Sequence, residues 1–230
     1  MYKILFREDL VPGIHLFKVE APAVAKKAQA GQFVVVRVDE KGERIPLSIA
    51  DWDREEGSIT VVFNEVGRTT GKLARLGVGD SITNLVGPLG LAAHIDKFGT
   101  VVCVVTGYGI ATIVPIARAL KERGNRLISI IWARSKDLLF GEERLGNFSD
   151  RLIVTTGDSA YGRDGFILEP LEELLRGEEK IDRVIAIGST CTMKLCAATT
   201  KPFGVKTIVS LNPIMVDGTG MCGVCRVSIG

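Results

Sequence analysis

The 230-residue sequence holds five cysteines, Cys103, Cys191, Cys196, Cys222 and Cys225, and the last two flank a dipeptide in the glycine-rich stretch VDGTGMCGVC (216–225). Thiolates are soft ligands for zinc and for iron–sulfur clusters, but such centres need further ligands beyond one pair. No cysteine follows Cys225, so partners must come from elsewhere. A zinc site from Cys191, Cys196, Cys222 and Cys225 is one candidate. It is a poor one, because Cys191 and Cys196 open a helical pattern, where a separation of five turns two side chains about 140° apart. Cys103 sits inside an apolar run and reads as a small core residue. His15 and His94 are isolated in sequence and carry no catalytic pattern.

Glycine turns are the second chemistry-bearing feature. In VVCVVTGYGIATIVPIARALKERG (101–124) an apolar run passes straight into Gly107-Tyr108-Gly109 and then a helical pattern. Such a turn brings backbone N–H groups and a helix N-terminus up to a pyrophosphate. Thr112 replaces the third glycine of the G-x-G-x-x-G fingerprint, and on the motif alone an ordinary tight turn reads equally well. A second turn, Gly188-Ser189-Thr190, ends RVIAIG (183–188) at the same carboxyl edge, where ligands of open α/β sheets collect. The two turns together favour a nucleotide. Two earlier stretches, GERIPLSIAD (42–51) and NEVGRTTGKL (64–73), have plain readings when taken singly: Arg44 as a solvated strand-end charge, and Gly67 to Gly71 as a hairpin loop.

The elements that must position these residues change character near residue 98. Before it, the runs QFVVVRV (32–38), SITVVFNEV (58–66) and SITNLVG (81–87) alternate with the turn clusters DEKGE, DREEG and GVGD. That pattern predicts an antiparallel barrel or sandwich. From Thr100 onward, continuous apolar strands such as TVVCVVTG, LISIIWA, RLIVTTGD, RVIAIG and KTIVSL alternate with amphipathic helical stretches. These predict a parallel α/β sheet, with the boundary at His94 to Gly99. The fold class expected is therefore β + α/β.

Composition excludes several functions. The formal net charge is +2, with no run of five like charges, so neither a nucleic-acid nor a membrane-surface footprint is visible. MYKILFREDL is no signal peptide, and no apolar stretch reaches the length of a membrane span. An odd, scattered cysteine count does not fit a secreted disulfide framework, and the cytoplasm is the expected location. The expected partners are a small molecule and another protein.

The order of features is more specific than any one of them. A barrel, an Arg-x-Pro-Leu-Ser-like strand, a Gly-Arg-Thr-Thr turn, a strand-Gly-x-Gly-helix and a terminal Cys-x-x-Cys together resemble the electron-transfer subunits of the ferredoxin reductase superfamily. The resemblance spans essentially the whole chain. It is stronger to the small subunit of NADH-dependent ferredoxin:NADP oxidoreductase (sulfide dehydrogenase) than to the subunit serving dihydroorotate dehydrogenase. Its most specific part is SLNPIMVDGTGMCGVCRVSIG (210–230).

The resemblance implies an antiparallel FAD-binding β-barrel over 1–97, a parallel α/β domain binding NAD(H) over 98–210, and a short C-terminal [2Fe-2S] segment over 211–230. It implies that the strand from Arg44 and Ile45 through Pro46, Leu47 and Ser48 lies along the flavin, with the Ser48 hydroxyl near N5 as the catalytic positioning group. Arg44 stands one residue further from Ser48 than in the family pattern. Phe63 and Asn64 match the family's Tyr-Arg pair, so its arginine is replaced here, and Arg68 or Lys72 would supply charge to the pyrophosphate. Gly67, Thr69, Thr70 and Gly71 match the phosphate turn, with the N–H groups of Thr70 and Gly71 as the cradle. Gly107, Gly109, Ile110 and Ala111, with Gly188, Ser189 and Met193 facing them, match the nicotinamide-nucleotide site. Asp217 stands where the first cluster cysteine would be, giving D-x4-C-x2-C with Cys222 and Cys225 as the other ligands. The sequence has no counterpart to the family's more distant fourth cysteine, as expected of a shortened segment.

The function these features imply is transfer of electrons between NAD(H), FAD and a [2Fe-2S] cluster, to or from a larger flavin/iron–sulfur oxidoreductase subunit in a heterodimer. A cofactor-depleted regulatory or assembly module and a stand-alone NAD(P)H:flavin reductase are the alternatives. The strand after the Gly-x-Gly helix ends in Arg134-Ser135-Lys136, a basic pattern that by the usual rule favours NADP. The resemblance implies NADH.

Overall fold

The computed structural model describes residues 1–228; Ile229 and Gly230, the end of the expected cluster segment, lie outside them. The chain forms two compact units, one of residues 1–93 with 212–230 and the other of residues 94–211.

The first unit is a seven-stranded antiparallel sheet built from β1 (Tyr2–Val11), β2 (Ile14–Glu20), β3 (Phe33–Arg37), β4 (Arg44–Asp53), β5 (Ser58–Asn64), β6 (Ser81–Ile82) and β7 (Asn84–Leu89). Its order, β6-β1-β2-β5-β4-β3-β7, puts β6 and β7 at the two edges. Thr83 alone separates these strands in sequence, and its N–H donates to the Val38 carbonyl, so the sheet curls into a nearly closed barrel. Strand alternation decides what fills it. Val34 and Val36 of β3, Leu47 and Ile49 of β4, and Ile59, Val61 and Phe63 of β5 all enter one core with Phe17 and Ile4. Phe17 and Phe63 meet edge to face at 5.1 Å, an arrangement that adds about 0.5–1.5 kcal/mol beyond area burial. Two short helices, α1 (Pro22–Ala25) and α2 (Arg68–Ala74), complete the unit; Leu73 of α2 is fully buried in the same core.

The second unit is a six-stranded parallel sheet of β8 (Thr100–Thr106), β9 (Arg126–Ala133), β10 (Arg151–Thr156), β11 (Arg163–Asp164), β12 (Arg183–Ile187) and β13 (Lys206–Val209). Its helices are α3 (Gly109–Glu122), α4 (Glu142–Gly146), α5 (Leu168–Arg176) and α6 (Thr190–Thr200). β8 is buried from Val101 through Thr106, which explains its unbroken apolar sequence. The buried Asn125 anchors residues 96–99 here: its Oδ1 accepts from the N–H groups of Phe98 and Gly99, and its Nδ2 donates to the Asp96 carbonyl. The sheet order β11-β10-β9-β8-β12-β13 reverses direction between β8 and β12. Such a reversal opens a crevice at the carboxyl ends of those two strands.

Candidate functional site

In the barrel, β4 presents two faces with different chemistry. Leu47 and Ile49 turn into the core and Ile45 packs against it, whereas Arg44, Pro46 and Ser48 share the other face. Of the strand expected to lie along a flavin, Ile45 and Leu47 therefore serve the barrel interior, and Pro46 and Ser48 form the surface a ligand can meet. The residue inserted before Pro46 puts Arg44 in phase with Ser48. Across β3 the same face pairs Phe33 with Ser48, Val35 with Pro46 and Arg37 with Arg44. Ser48 is partly exposed, and its hydroxyl has no partner among the described residues. Phe63, expected beside the flavin, is 2% exposed and belongs to the core; Asn64 is partly exposed on the opposite face of β5.

The turn ahead of α2 is shaped by Thr70. Its Oγ1 accepts from the N–H groups of Val66 (3.1 Å) and Gly67 (3.0 Å), leaving Gly67 extended and exposed with nothing within 4 Å of where a Cβ would stand. The expected cradle shifts by a residue or two here. The Gly71 N–H donates to the Gly67 carbonyl at 2.8 Å, so the donors free of the helix are those of its first turn, Arg68 to Thr70. Thr69 is 7% exposed, and its hydroxyl donates to Glu43 Oε2. Lys72 is engaged too: its Nζ lies 2.6 Å from Asp39 Oδ2, a contact that holds the Asp39 carboxyl below its usual range. Beside this turn Lys72 is paired, whereas neither Arg68 nor Arg44 makes an ion pair among the described residues.

At the switch point of the parallel sheet, Gly107 adopts φ +55° at the end of β8, again with nothing within 4 Å of a Cβ position. The left-handed turn and the open space are what a pyrophosphate needs. Gly109 and Gly188 are glycines for a different reason. A Cβ on Gly109 would stand 3.0 Å from both the carbonyl oxygen and Cγ2 of Ile187, and one on Gly188 would stand 2.1 Å from Thr106 Oγ1. These residues let α3 and the β12 turn press close to the strands. Ser189 caps α6, its Oγ accepting from the Thr192 N–H at 3.1 Å. Ala111 is partly exposed, Ile110 is 1% exposed, and Met193 is 3% exposed within the core formed by α5, α6 and the sheet. The expected nucleotide contact of Met193 is replaced by packing, since it and the buried Cys196 share the inner face of α6.

The C-terminal segment clusters with the barrel. A Cβ on Gly218 would meet Val35 Cγ2 at 2.9 Å and Leu89 Cδ1 at 3.6 Å, so the loop backbone lies on β3 and β7. Asp217 organises the loop: Oδ1 accepts from the N–H groups of Thr219 (2.6 Å) and Gly220 (3.3 Å), and Oδ2 from that of Cys222 (2.8 Å). These donors hold its carboxyl down at about 2. Cys222 is exposed and Cys225 is partly exposed. Among the described residues no three His, Cys, Asp or Glu side chains converge on a metal position. One carboxylate and two thiols on one loop suit an iron–sulfur cluster in kind but are one donor short, and the N–H groups that would face a cluster's sulfurs are turned to Asp217.

One group escaped the sequence reading. His15, 7% exposed, lies with Nδ1 2.6 Å from Asp9 Oδ1 and Nε2 3.4 Å from Glu65 Oε2. The signal was present in DLVPGIH (9–15), whose Pro-Gly turn sets Asp9 opposite His15 across the β1–β2 hairpin.

No family model matches the chain. Over 227 residues it is 48% identical to the "dihydroorotate dehydrogenase B (NAD(+)), electron transfer subunit homolog" of Thermotoga maritima, covering 99% of this chain and 78% of that protein. The dihydroorotate dehydrogenase B (NAD(+)) electron transfer subunit of Fusobacterium nucleatum is 28% identical over 215 residues, with 90% of this chain and 81% of that protein covered. A solved chain of the NADH-dependent reduced ferredoxin-NADP oxidoreductase, described for insights into flavin-based electron bifurcation, superposes with a TM-score of 0.93 at 44% identity. That match covers 98% of this chain and 81% of the other. A ferredoxin NADP+ reductase from Neisseria gonorrhoeae with bound FAD and NADP shares the fold alone, with a TM-score of 0.72 at 19% identity over 91% of this chain and 96% of that one. With its barrel, its parallel sheet and these relatives, the chain belongs to the family of dihydroorotate dehydrogenase B electron-transfer subunits and their homologues, which have the ferredoxin reductase-like fold.

Proposed function

We propose that this chain, an NAD(P)H-dependent flavin oxidoreductase subunit by family, moves electrons between NAD(H) and FAD and onward through its C-terminal loop to a larger partner subunit. The observation that carries this reading is that the loop and the flavin strand share one barrel face. Gly218 of the loop rests on Val35, and Val35 is the cross-strand partner of Pro46, two residues from Ser48. Electrons leaving a flavin along β4 would have the cysteine loop as their near neighbour.

When bound, FAD and NADH supply hydride transfer and single-electron release, and neither step requires an acid or base from the protein. The chain's own residues bind and orient. Ser48, whose hydroxyl has no competing partner among the described residues, would offer it to the flavin edge. The first-turn N–H groups of α2 and the Arg68 and Arg44 side chains would hold the FAD phosphates, and Gly67 would leave room for their approach. Gly107 provides the equivalent space for the nicotinamide nucleotide, and the close packing at Gly109 and Gly188 fixes the height of the α3 and α6 N-termini beside it. Asp217, Cys222 and Cys225 would be the chain's donors for a [2Fe-2S] cluster, one short of a full set, and Asp217 would have to release the N–H groups of Thr219, Gly220 and Cys222 to serve. The larger subunit, as a heterodimer partner, receives or returns the electrons.

Purification under anaerobic conditions tests the reading directly. A yellow protein whose flavin absorbance is bleached by NADH supports it. A colourless protein that takes up no FAD from solution refutes it.

A further inference from the structure

We propose that His15 is a positioning residue that pins the phosphate turn before α2 to the β1–β2 hairpin through Glu65, and that it does so only as the imidazolium. The inference rests on the assignment of that turn to FAD.

Both ring nitrogens face carboxylates, Asp9 on one side at 2.6 Å and Glu65 on the other at 3.4 Å. An ionised carboxylate only accepts hydrogen bonds, and a neutral imidazole has one N–H to give. The neutral ring would therefore satisfy one neighbour and turn a lone pair on the other, whereas the imidazolium serves both. The ring cannot easily turn away, because it packs against Phe63 with centroids 5.4 Å apart and is almost wholly enclosed. Arg7 keeps Asp9 in its charged form: its Nη2 and Nε lie 3.1 and 3.3 Å from Asp9 Oδ1, and its Nη1 donates to the Leu76 carbonyl. The His15 contact is the largest cause holding the Asp9 carboxyl below its usual range. The charged groups facing the ring are thus Asp9 and, behind it, Arg7 on β1, and Glu65 after β5. Lys18, the other charged residue in the middle of β2, is paired with Glu56 at the far end of the strand.

Glu65 is the residue through which His15 reaches the turn. Its N–H donates to the Gly13 carbonyl at 2.8 Å, and its Oε1 lies 3.4 Å from where a Cβ on Gly71 would stand, so its carboxylate reaches from the histidine to the first turns of α2. When the ring loses a proton, the short contact to Asp9 keeps the remaining N–H and the longer contact to Glu65 is released. The turn loosens, and FAD is held less tightly at alkaline pH.

The test combines FAD affinity with ring protonation in the full 230-residue chain. FAD binding to the flavin-stripped protein, followed by quenching of flavin fluorescence, is expected to weaken about tenfold between pH 6 and pH 9. In His15→Gln that dependence should flatten. In Glu65→Gln the amide can donate to a neutral ring or accept from a charged one, so affinity should stay high at both pH values, a rescue that mere structural damage would not give. The sequence has two histidines, so a 15N-histidine spectrum shows two rings, and His94→Gln assigns them. Two N–H groups on His15 are expected at pH 6. A wild-type pH dependence that survives in His15→Gln, or a His15 ring with one bare nitrogen at pH 6, overturns the pin. FAD binding that is equally tight at both pH values overturns the pin alone, whereas no FAD binding at either pH overturns the assignment of the turn as well.

Discussion

Gly107 and Gly109 stand two apart in one turn and should fail in different ways when each is replaced by alanine. At Gly107 the backbone has φ +55°, which costs an L-residue about 1 kcal/mol, and the added methyl meets no protein atom within 4 Å. A loss of that size should lower the melting temperature by roughly 2–4 °C. The methyl does, however, enter the space assigned to the pyrophosphate, so the dissociation constant for NAD+ should rise tenfold or more, equivalent to at least about 1.4 kcal/mol. At Gly109 the methyl would be driven to 3.0 Å from the Ile187 carbonyl oxygen, which is backbone and cannot swing aside. Overpacking of this kind costs about 1–3 kcal/mol, and α3 must move away from β12 to relieve it. The larger fall in stability should therefore belong to Gly109→Ala and the cleaner binding defect to Gly107→Ala, with FAD retained in both. Calorimetric titration with NAD+ and a thermal melt on each variant decide the matter. If Gly107→Ala binds NAD+ within twofold of the parent, the turn does not hold the nucleotide and the switch-point reasoning fails.

Other expectations follow from the same geometry. Ser48→Ala should keep its FAD but slow flavin reduction by NADH about 10- to 100-fold in stopped flow, through lost positioning; an unchanged rate would remove Ser48 from the site. The Asp217 carboxyl is depressed from 3.8 to about 2 in the folded loop, so its contribution is complete above pH 4 and is lost as pH falls through 2. The protection factors of the Thr219 and Cys222 amides, taken against the intrinsic rate at each pH, should fall over that window, and protection that persists at pH 1.5 would contradict the hydrogen bonds. NADH should reduce the flavin faster than NADPH despite Arg134 and Lys136, since Lys136 Nζ lies over the Tyr161 ring at 5.0 Å; a tenfold preference for NADPH would reverse this assignment. With three donors on its loop, the polypeptide of residues 1–230 should purify with FAD and little iron, which a ferrozine assay measures against two irons per chain.

The division into a β unit and an α/β unit was legible because the two hydrophobic periods are local properties of the chain. So was the Gly107 turn, where one residue's conformation and the strand-to-helix passage lie within a few positions. What escaped depended on partners distant in sequence. Lys72 reads as a free cation until Asp39, 33 residues earlier, is seen against it. Met193 reads as a residue facing a ligand until α6 is set on its sheet and the side chain turns inward. Phe63 was placed by resemblance, and its inward direction follows from the alternation of β5, in phase with Ile59 and Val61. His15 was dismissed as isolated because its second carboxylate, Glu65, is 50 residues away.

Residues 212–230 group with residues 1–93, and the parallel-sheet unit occupies the interval between. During synthesis on a ribosome, this segment of the barrel unit therefore emerges only after the whole nucleotide-binding unit. The sheet of β8 to β13 is contiguous in sequence and can fold as it is made, whereas the loop resting on Val35 and Leu89 must wait and close a circuit more than 120 residues long, about 0.6 kcal/mol costlier for each doubling of length. Maturation thus has an intrinsic order: the nucleotide unit can be finished before the cysteine-bearing loop docks onto a β3 and β7 surface that is already in place.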